Sequence, residues 1–285
     1  MPQAVTYPVA LADFAALVEP LREDASIDLA SAALAIARTE YPQLDVPYYL
    51  GRLEALARRA RTRMRSNPTA REAIAVLNCV LFDEEGLRGN RDDYYDPRNS
   101  FLNDVLDRKL GIPITLSVVY MEVGRRVGFP LCGTGMPGHF LLKHHDPLSG
   151  EIIVDPFHGG RIVGSRECQQ RLDEIYSGQL ELRPEFLQAV SHRDILTRML
   201  NNLRQIYFTK RNFYKGVAIL DWLLAIPPLD ADLLRERGLA RLNLEQFLGA
   251  AQDLGSYLKA RPNAEDVEDV SETLEMLRQL LARLN

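Results

Sequence analysis

The spacing of apolar positions predicts helices over the N-terminal part of the chain. Apolar side chains recur every three to four residues in four stretches: LADFAALV, IDLASAALAIARTEY, VPYYLGRLEALARRARTRMR and AREAIAVLNCVLFDEEG. This period is typical of amphipathic helices that bury one face. The region up to the turn-rich segment GLRGNRDDYYDPRNS is therefore predicted to be helical.

A more broadly apolar helix is predicted further along the chain. Gly111 and Pro113 mark its start, and Gly128 and Pro130 mark its end. Its apolar stripe has a helical period and comprises Ile112, Leu116, Val119, Val123 and Val127. Further apolar residues flank this stripe, so the helix is expected to be buried.

Alternating residues after this helix predict a β-hairpin. Symmetric pairing about Pro147 places His139 directly opposite Asp155. The same register predicts four further pairs, two on that face and two apolar pairs on the other: Leu141–Ile153 and Lys143–Glu151, then Phe140–Val154 and Leu142–Ile152. Opposed Cβ atoms lie roughly 4.5–5.5 Å apart, which suits a hydrogen bond between imidazole and carboxylate. A histidine oriented by a carboxylate forms two thirds of a catalytic triad.

These stretches resemble a known family. GIPITLSVVYMEVGRRVGFPL, then PGHFLL and VDPF, are similar to the core of the transglutaminase-like (papain-like cysteine enzyme) superfamily. The longer run from DPRNSFLND to DPFHGG resembles, more narrowly, the bacterial SirB-type transglutaminase-like proteins. The resemblance implies an α+β fold, with a helix-rich core, a small antiparallel sheet and a C-terminal array of tetratricopeptide (TPR) repeats.

The resemblance assigns roles to individual residues. His139 and Asp155 match the histidine and aspartate of the family's catalytic triad. The nucleophilic cysteine of the family falls at about Pro113 or Ile114, where this sequence has no thiol. The His–Asp pair is therefore either part of a functional cleft or a structural pair kept after activity was lost.

Two hydroxyl groups lie near the position of the missing cysteine. Thr115 and Ser117 are candidate nucleophiles, because a His–Asp pair can in principle activate a hydroxyl. Thr115 is equally suited to capping the helix, and Ser117 to packing in its first turn.

The resemblance also implies which groups line the cleft. In the family, the loop before the buried helix borders the cleft, so Arg98, Asn99 and Asn103 are candidate lining groups. Pro113 and Ile114 are further candidates. The alternative for the three polar residues is capping of the helix that follows them.

Charge and composition exclude several classes of function. A net charge of −5 provides no electrostatic footprint for nucleic acid. The sequence has no apolar run of about 18 residues and no N-terminal secretory signal, so neither a membrane partner nor secretion is expected. Three cysteines are a sparse, odd set that fits a reducing compartment, and we expect a cytoplasmic protein.

The cysteines and histidines offer little other chemistry. Cys79 lies in an apolar helix, where a buried, inert thiol is expected. Cys132 precedes the hairpin and is either a packing residue or close enough in space to approach His139. A metal site is conceivable from His139, His144, His145, Asp155 and His158, but the sequence has neither HExxH nor CxxC spacing, so it predicts no metal site and no cofactor.

The C-terminal third predicts helix pairs. NFYKGVAILDWLLAIPP and QFLGAAQDLGSYLKARP align at a spacing of 34 residues, which is the TPR period. Gly238 and Ala250 lie where the TPR pattern requires small residues, whereas Tyr257 replaces the usual alanine. About two degenerate repeats and a capping helix are expected, which either bind a peptide or pack on the core.

These patterns predict two domains and two classes of function. Residues 1–190 are predicted to form the transglutaminase-like core, and residues 191–285 the TPR-like domain. One hypothesis is a non-catalytic interaction or regulatory protein with a protein or peptide partner. The alternative is a hydrolase or acyl-transfer enzyme in which His139 and Asp155 activate Thr115, Ser117 or a water. A weaker third hypothesis is a module that binds a peptide or amide side chain in the cleft.

Overall fold

The computed structural model describes residues 7–19, 23–146 and 150–284, which form two compact units. Within these described parts, the first unit lies in residues 24–199. The second unit combines residues of the N-terminal segment 5–23 with residues of the segment 200–285. The division along the chain falls within one long helix.

The first part of the chain is helical, as predicted. Its α-helices are α1 (Tyr7–Leu17), α2 (Leu29–Ala37), α3 (Val46–Arg63), α4 (Ala70–Asn78), α5 (Leu102–Arg108) and α6 (Pro113–Arg126). A turn of π-helix, Cys79–Glu84, continues α4. Side-chain caps explain several starts: Asp28 caps α2, Asp45 caps α3 and Thr69 caps α4.

Helix α6 lies at the centre of the first unit. All of its residues from Pro113 to Gly124 are buried, and α2, α3, α4 and α5 pack around it together with the sheet. The predicted burial of this apolar helix is confirmed. Its N-terminal end is therefore enclosed by protein.

The sheets of the first unit are small. A parallel pair joins β1 (Arg88–Gly89) to β2 (Leu110–Gly111). The main sheet is antiparallel in chain order, and its strands are β3 (Cys132–Thr134), β4 (Leu141–Asp146), β5 (Gly150–Asp155) and β6 (Arg161–Val163). Helix α7 (Ser165–Tyr176) follows the sheet. The predicted α+β class, with many helices and a small antiparallel sheet, is confirmed.

The predicted register of the hairpin is wrong by two residues. Leu142 pairs with Val154 and Lys143 with Ile153, so the pairing is centred one residue later than predicted. Gly150 adopts a φ of +79° and pairs with Asp146, which shifts the start of β5. A shift of two residues leaves every side chain on its predicted face, because side chains in a strand alternate with a period of two. The predicted turn residue, Pro147, lies outside the described residues.

The second unit is an array of helix pairs. It contains α1, the C-terminal half of α8 (His192–Thr209), α9 (Phe213–Leu224), α10 (Ala231–Leu242), α11 (Phe247–Ala260) and α12 (Val267–Leu284). Neighbouring helices pack in chain order from α9 to α12. A Cβ built on Gly238 would lie 2.8 Å from Leu254 Cδ2, so α10 and α11 approach closely at the predicted small residue.

The array contains a partly buried ionic network around the buried Asp253. The Arg237 guanidinium donates to both carboxylate oxygens of Asp253, at 2.9 and 2.6 Å, and to Asp221 at 2.6 Å. Arg241 donates to Asp253 at 2.7 Å. These contacts join α9, α10 and α11. None of the helices in the described parts of the chain is long and apolar enough to cross a membrane.

Candidate functional site

The N-terminal end of α6 carries the two candidate hydroxyls. Thr115 is fully buried, and its hydroxyl donates to the Asn99 carbonyl at 2.7 Å and accepts from the Ile112 backbone N–H at 3.1 Å. The second contact caps the start of the helix. Ser117 is also fully buried, and its Oγ has no hydrogen-bond partner among the described residues. Among the residues that the structure describes, neither hydroxyl forms a hydrogen bond with His139.

The polar residues predicted to line a cleft have partners within their own loop. The Asn99 amide is buried, where its Nδ2 donates to the Asp93 carbonyl at 2.7 Å and its Oδ1 accepts from Asn90 Nδ2 at 3.0 Å. Arg98 is largely exposed and forms an ion pair with Asp96 at 2.9 Å. Asn99 therefore holds the loop before α5 in place.

The remaining residues of that predicted set are buried near α6. Asn103 is 4% exposed, and its Oδ1 has no partner among the described residues. Pro113 and Ile114 are buried in the first turn of α6. Both are apolar, and they stand at the position that the sequence resemblance assigns to the family's thiol.

His139 is positioned by the loop that precedes β4. Gly138 has a φ of +69°, which favours glycine, and a Cβ there would lie 2.9 Å from Ile175. Arg198 donates to the carbonyls of His139 and Met136, at 2.7 and 3.2 Å. Burial lowers the pKa of the Arg198 guanidinium. The same guanidinium lies over the Phe140 ring, 5.4 Å from the ring centroid. Arg198 therefore fixes the backbone of the loop that carries His139.

Asp155 joins two histidines. Its Oδ2 lies 2.9 Å from His139 Nε2 and 2.8 Å from His158 Nδ1. Its Oδ1 accepts from the backbone N–H groups of Phe157 and His158, at 3.0 and 3.3 Å. These two backbone contacts arise because Asp155 caps the short 3₁₀ turn Pro156–His158 at the end of β5. The carboxylate is thus held by four donors.

The electrostatics of Asp155 determine which ring nitrogens carry protons. Burial raises the pKa of this carboxyl, but the hydrogen bonds and charges of His139 and His158 outweigh it and hold the pKa below its ordinary value. An ionised carboxylate only accepts hydrogen bonds, so both rings must donate to it. In a neutral His139 the proton is therefore on Nε2, and Nδ1 is a free basic nitrogen without a hydrogen-bond partner among the described residues.

Arg171 contacts the ring of His158. Its Nη2 is 3.0 Å from Nε2 and 3.3 Å from Nδ1. The same guanidinium forms an ion pair with Glu174 at 2.8 Å. A positive charge therefore lies beside the His–Asp–His cluster.

A cavity of about 180 Å³ opens beside this cluster. Its wall combines a few apolar side chains with many polar ones: Met136, His139, Leu141, Asp155, His158, Arg161, Ile162, Val163, Glu167, Cys168, Gln170, Arg171 and Glu174. The wall is built from β4, β5, β6 and α7. It contains none of the loop residues or α6 residues that the sequence predicted as lining groups.

The described thiols are poor nucleophiles. Cys168 lines the cavity in the first turn of α7, but burial and the charges of Asp155 and Glu167 raise its pKa. Burial also raises the pKa of Cys132, whose Sγ contacts the Lys143 carbonyl at 3.4 Å instead of His139. Cys79 is only partly buried, contrary to the expectation, because it lies in the π-helical turn where its Sγ donates to Glu84 at 3.6 Å. Desolvation and the charge of Glu84 raise its pKa.

Two residues of this cluster were missed by sequence reasoning. The pairing of His139 with Asp155 was predicted from the hairpin, and the structure brings these two side chains together. His158 and Arg171 were not assigned to the site. The available signal for His158 was its place three residues after Asp155 in DPFH, where a turn brings it back to the carboxylate. No local signal places Arg171, because it comes from the next helix.

Comparison with known proteins identifies the family of this chain. The profile of the Transglutaminase-like superfamily matches residues 48–201, which is more than half of the chain. This chain belongs to the transglutaminase-like superfamily. A Tetratricopeptide repeat profile matches residues 203–275, so a TPR region follows the transglutaminase-like domain. The predicted order of these two regions is confirmed.

Relatives of this transglutaminase-like protein include several bacterial chains. The UPF0162 protein of Xylella fastidiosa (strain 9a5c) is 37% identical over 252 residues, which cover 87% of this chain and 89% of that protein. Protein SirB1 of Salmonella typhimurium (strain LT2) is 25% identical over 226 residues, covering 79% and 82% of the two chains. The predicted SirB-type resemblance is confirmed.

A further similarity is limited to one region of the chain. F-box only protein 21 of Homo sapiens is 31% identical over 139 residues, which cover 46% of this chain and 21% of that protein. No solved structure matches the chain.

Proposed function

We propose that this transglutaminase-like protein is a non-catalytic interaction or regulatory protein, which binds a protein or peptide partner. The observation that carries the proposal is the N-terminal end of α6, where the resemblance places the family's nucleophile. Pro113 and Ile114 are apolar there, and the Thr115 hydroxyl is buried and bound to Asn99 and Ile112. Acyl transfer needs a nucleophile within hydrogen-bond reach of the base, and neither hydroxyl at this helix end meets that requirement.

Exposed aromatic side chains near the cluster support partner binding. Tyr95 is 60% exposed, and its ring packs against the ring of Tyr94. The ring centroids of Tyr94 and Phe157 lie 6.3 Å apart. Phe157 lies 6.0 Å from the His139 ring, so these aromatic residues border the same region as the cluster. Aromatic side chains are enriched among the residues that dominate binding energy at interfaces. We propose that this aromatic surface, Tyr94, Tyr95 and Phe157, contacts the partner.

The TPR region supports the same role. TPR repeats generally mediate contacts between proteins, and stacked helix pairs form extended surfaces for such contacts. We propose that residues 1–190 and 191–285 act as the two functional domains, with the cleft in the first. We also propose a cytoplasmic location, since all three cysteines are free thiols, as expected in a reducing compartment.

One observation favours a second candidate function. His139 Nδ1 has no partner among the described residues, and Asp155 orients the ring. A base of this kind is suited to activating a water, so a hydrolase that uses water directly is the alternative to the non-catalytic role. The hydroxyls of Thr115 and Ser117 receive no comparable support.

An activity screen distinguishes these candidates. The full chain and the His139→Ala variant are incubated with amide, ester and amine-transfer substrates, and turnover is followed by mass spectrometry. The non-catalytic role predicts no turnover above the rate of the variant. Turnover that disappears in His139→Ala would show that the protein is an enzyme.

A capture experiment tests partner binding. Immobilised full chain and its Tyr95→Ala variant are exposed to a bacterial lysate in EDTA, and bound proteins are quantified by mass spectrometry. Tyr48→Ala is the matched control, because Tyr48 is 56% exposed on α3. We expect at least one protein to be retained by the unchanged chain and the control, but lost from Tyr95→Ala. Equal retention by all three would contradict the role of the aromatic surface.

A further inference from the structure

We propose that His139, Asp155 and His158 form a binding site for one divalent first-row transition-metal ion, such as Zn²⁺. His139 Nε2, Asp155 Oδ2 and His158 Nδ1 each offer one ligand atom, and these atoms all lie within 4.8 Å of one another. The proposal goes beyond partner binding and does not depend on it. It also replaces the sequence-based expectation of no metal site.

The donor set fits a transition metal better than other cations. Two imidazoles and one carboxylate are common ligands of Zn²⁺, Fe²⁺ and Co²⁺, whereas Ca²⁺ and Mg²⁺ prefer sites made entirely of oxygen. Asp155 Oδ2 is already within 2.9 Å of both ring nitrogens. Zinc–nitrogen and zinc–oxygen bonds are about 2.0–2.2 Å long, so the ion fits once both rings turn slightly away from direct contact with the carboxylate.

The ligands are held in place by contacts outside the site. Asp155 Oδ1 is bound by two backbone N–H groups, which orients Oδ2 towards both rings. The backbone of His139 is fixed by Arg198 through its carbonyl at 2.7 Å. Such outer contacts orient metal ligands and are a regular part of metal sites in proteins. The site is therefore pre-formed in the folded chain.

The proton balance of metal binding is simple. Each neutral ring now donates an N–H to Asp155 Oδ2. When the metal takes that place, each ring keeps one proton on its other nitrogen, Nδ1 of His139 and Nε2 of His158. Three protein ligands leave at least one coordination position, and the adjoining cavity of about 180 Å³ has room for a water there.

Arg171 acts against the bound cation. Its guanidinium lies 3.3 Å from the proposed ligand atom His158 Nδ1 and is paired with Glu174. Like charges this close repel, so the site binds the ion less tightly than the three ligands alone would allow. Removing this charge without touching a ligand should therefore strengthen binding. A gain in metal affinity cannot result from unfolding, so this variant separates metal binding from a loss of structure.

Metal binding is measured on the full chain after treatment with a chelator. Zn²⁺ is titrated by calorimetry and by competition with a chromogenic chelator, and Co²⁺ binding is followed by visible absorption. We expect one Zn²⁺ per chain, no competition from Mg²⁺, and an affinity loss of roughly 100-fold in His139→Ala and in His158→Ala. His145→Ala is the control, because His145 is exposed on β4. Arg171→Gln should bind Zn²⁺ roughly tenfold more tightly, because it removes a like charge close to the bound ion.

Several results would overturn the proposal. They are the absence of stoichiometric Zn²⁺ binding, equal binding by His158→Ala and the unchanged chain, or an equal loss in His145→Ala. Weaker binding by Arg171→Gln would also contradict it. Circular dichroism of each variant shows whether a loss of binding follows a loss of fold. Because the partner assay contains EDTA, its outcome and the outcome of the metal titration are independent.

Discussion

His139 Nε2 and Asp155 Oδ2 lie 2.9 Å apart although the two residues are not opposed in the sheet. Leu142 pairs with Val154, so His139 lies diagonally from Asp155, in the loop before β4. Neighbours on such a diagonal are within reach of long side chains. The hydrogen bond thus ties the loop before β4 to the end of β5, and Asp155 binds His158 through the same oxygen.

Replacing Asp155 should change both stability and its dependence on pH. Asp155→Asn removes the charge that four donors surround, so we expect a loss of about 2 kcal/mol in the free energy of unfolding at pH 7. The pKa of Asp155 is lowered in the folded state, so the carboxylate stabilises the fold above the unfolded pKa of about 3.9, and this contribution is lost as pH falls further.

Urea denaturation between pH 7 and acid pH measures this effect. The difference between the original chain and Asp155→Asn should narrow as pH falls below about 4. Asp92→Asn, at an exposed position, is the control and should follow the original chain throughout. A difference that stays constant with pH would contradict the assignment.

The two buried hydroxyls of α6 should respond differently to removal. Thr115→Val leaves the Ile112 N–H and the Asn99 carbonyl without a partner, which should cost about 1–3 kcal/mol of unfolding free energy. Ser117→Ala removes a buried oxygen that has no hydrogen-bond partner among the described residues, so its stability should be unchanged or slightly higher. Chemical denaturation compares the two variants. A stable Thr115→Val protein would show that the capping contact is unimportant.

Cys168 should resist thiol reagents in the folded protein. It is buried and its pKa is raised by burial and by Asp155, so little thiolate is present near neutral pH. Peptide mapping after timed exposure to iodoacetamide should find Cys168 unmodified, whereas all three cysteines react after denaturation. Rapid labelling of Cys168 that slows in His139→Ala would instead identify a thiol activated by this histidine.

Breaking the ionic network of the second unit should destabilise its helices. Asp253 is 4% exposed and binds both Arg237 and Arg241, so Asp253→Asn removes one of the two carboxylates that these partly buried guanidinium groups share. Asp221 still pairs with Arg237, so we expect a loss of about 1–3 kcal/mol in the free energy of unfolding. Hydrogen exchange followed by mass spectrometry tests this, because the backbone amides of α10 and α11 should exchange faster in the variant.

The control for this network is an exposed ion pair in the same unit. Glu275 and Arg278 pair on the surface of α12, so Glu275→Gln should change stability by less than about 1 kcal/mol. Equal rates of hydrogen exchange in α10 of Asp253→Asn and Glu275→Gln would contradict a structural role of the network around Asp253.

The site shows how far local patterns extend. The faces of the hairpin could be predicted, because alternation in a strand does not depend on the exact register. The register itself could not, because it depends on the turn, and Gly150 pairs with Asp146 instead of following the assumed symmetry. The wall of the observed cavity could not be predicted either, because it joins residues of the sheet to residues of α7, which only the packing brings together.

The amino-acid sequence alone determined the helical regions, the buried α6, the small antiparallel sheet and the TPR-like array. These features depend on the residue types and the spacing of apolar positions within short stretches of the chain, and both can be read directly from the sequence. Only the tertiary structure decided that His158 and Arg171 join His139 and Asp155, and that the Thr115 hydroxyl binds Asn99. Such contacts depend on how separate elements pack, because a side chain finds its partners only once the backbone has brought distant segments together.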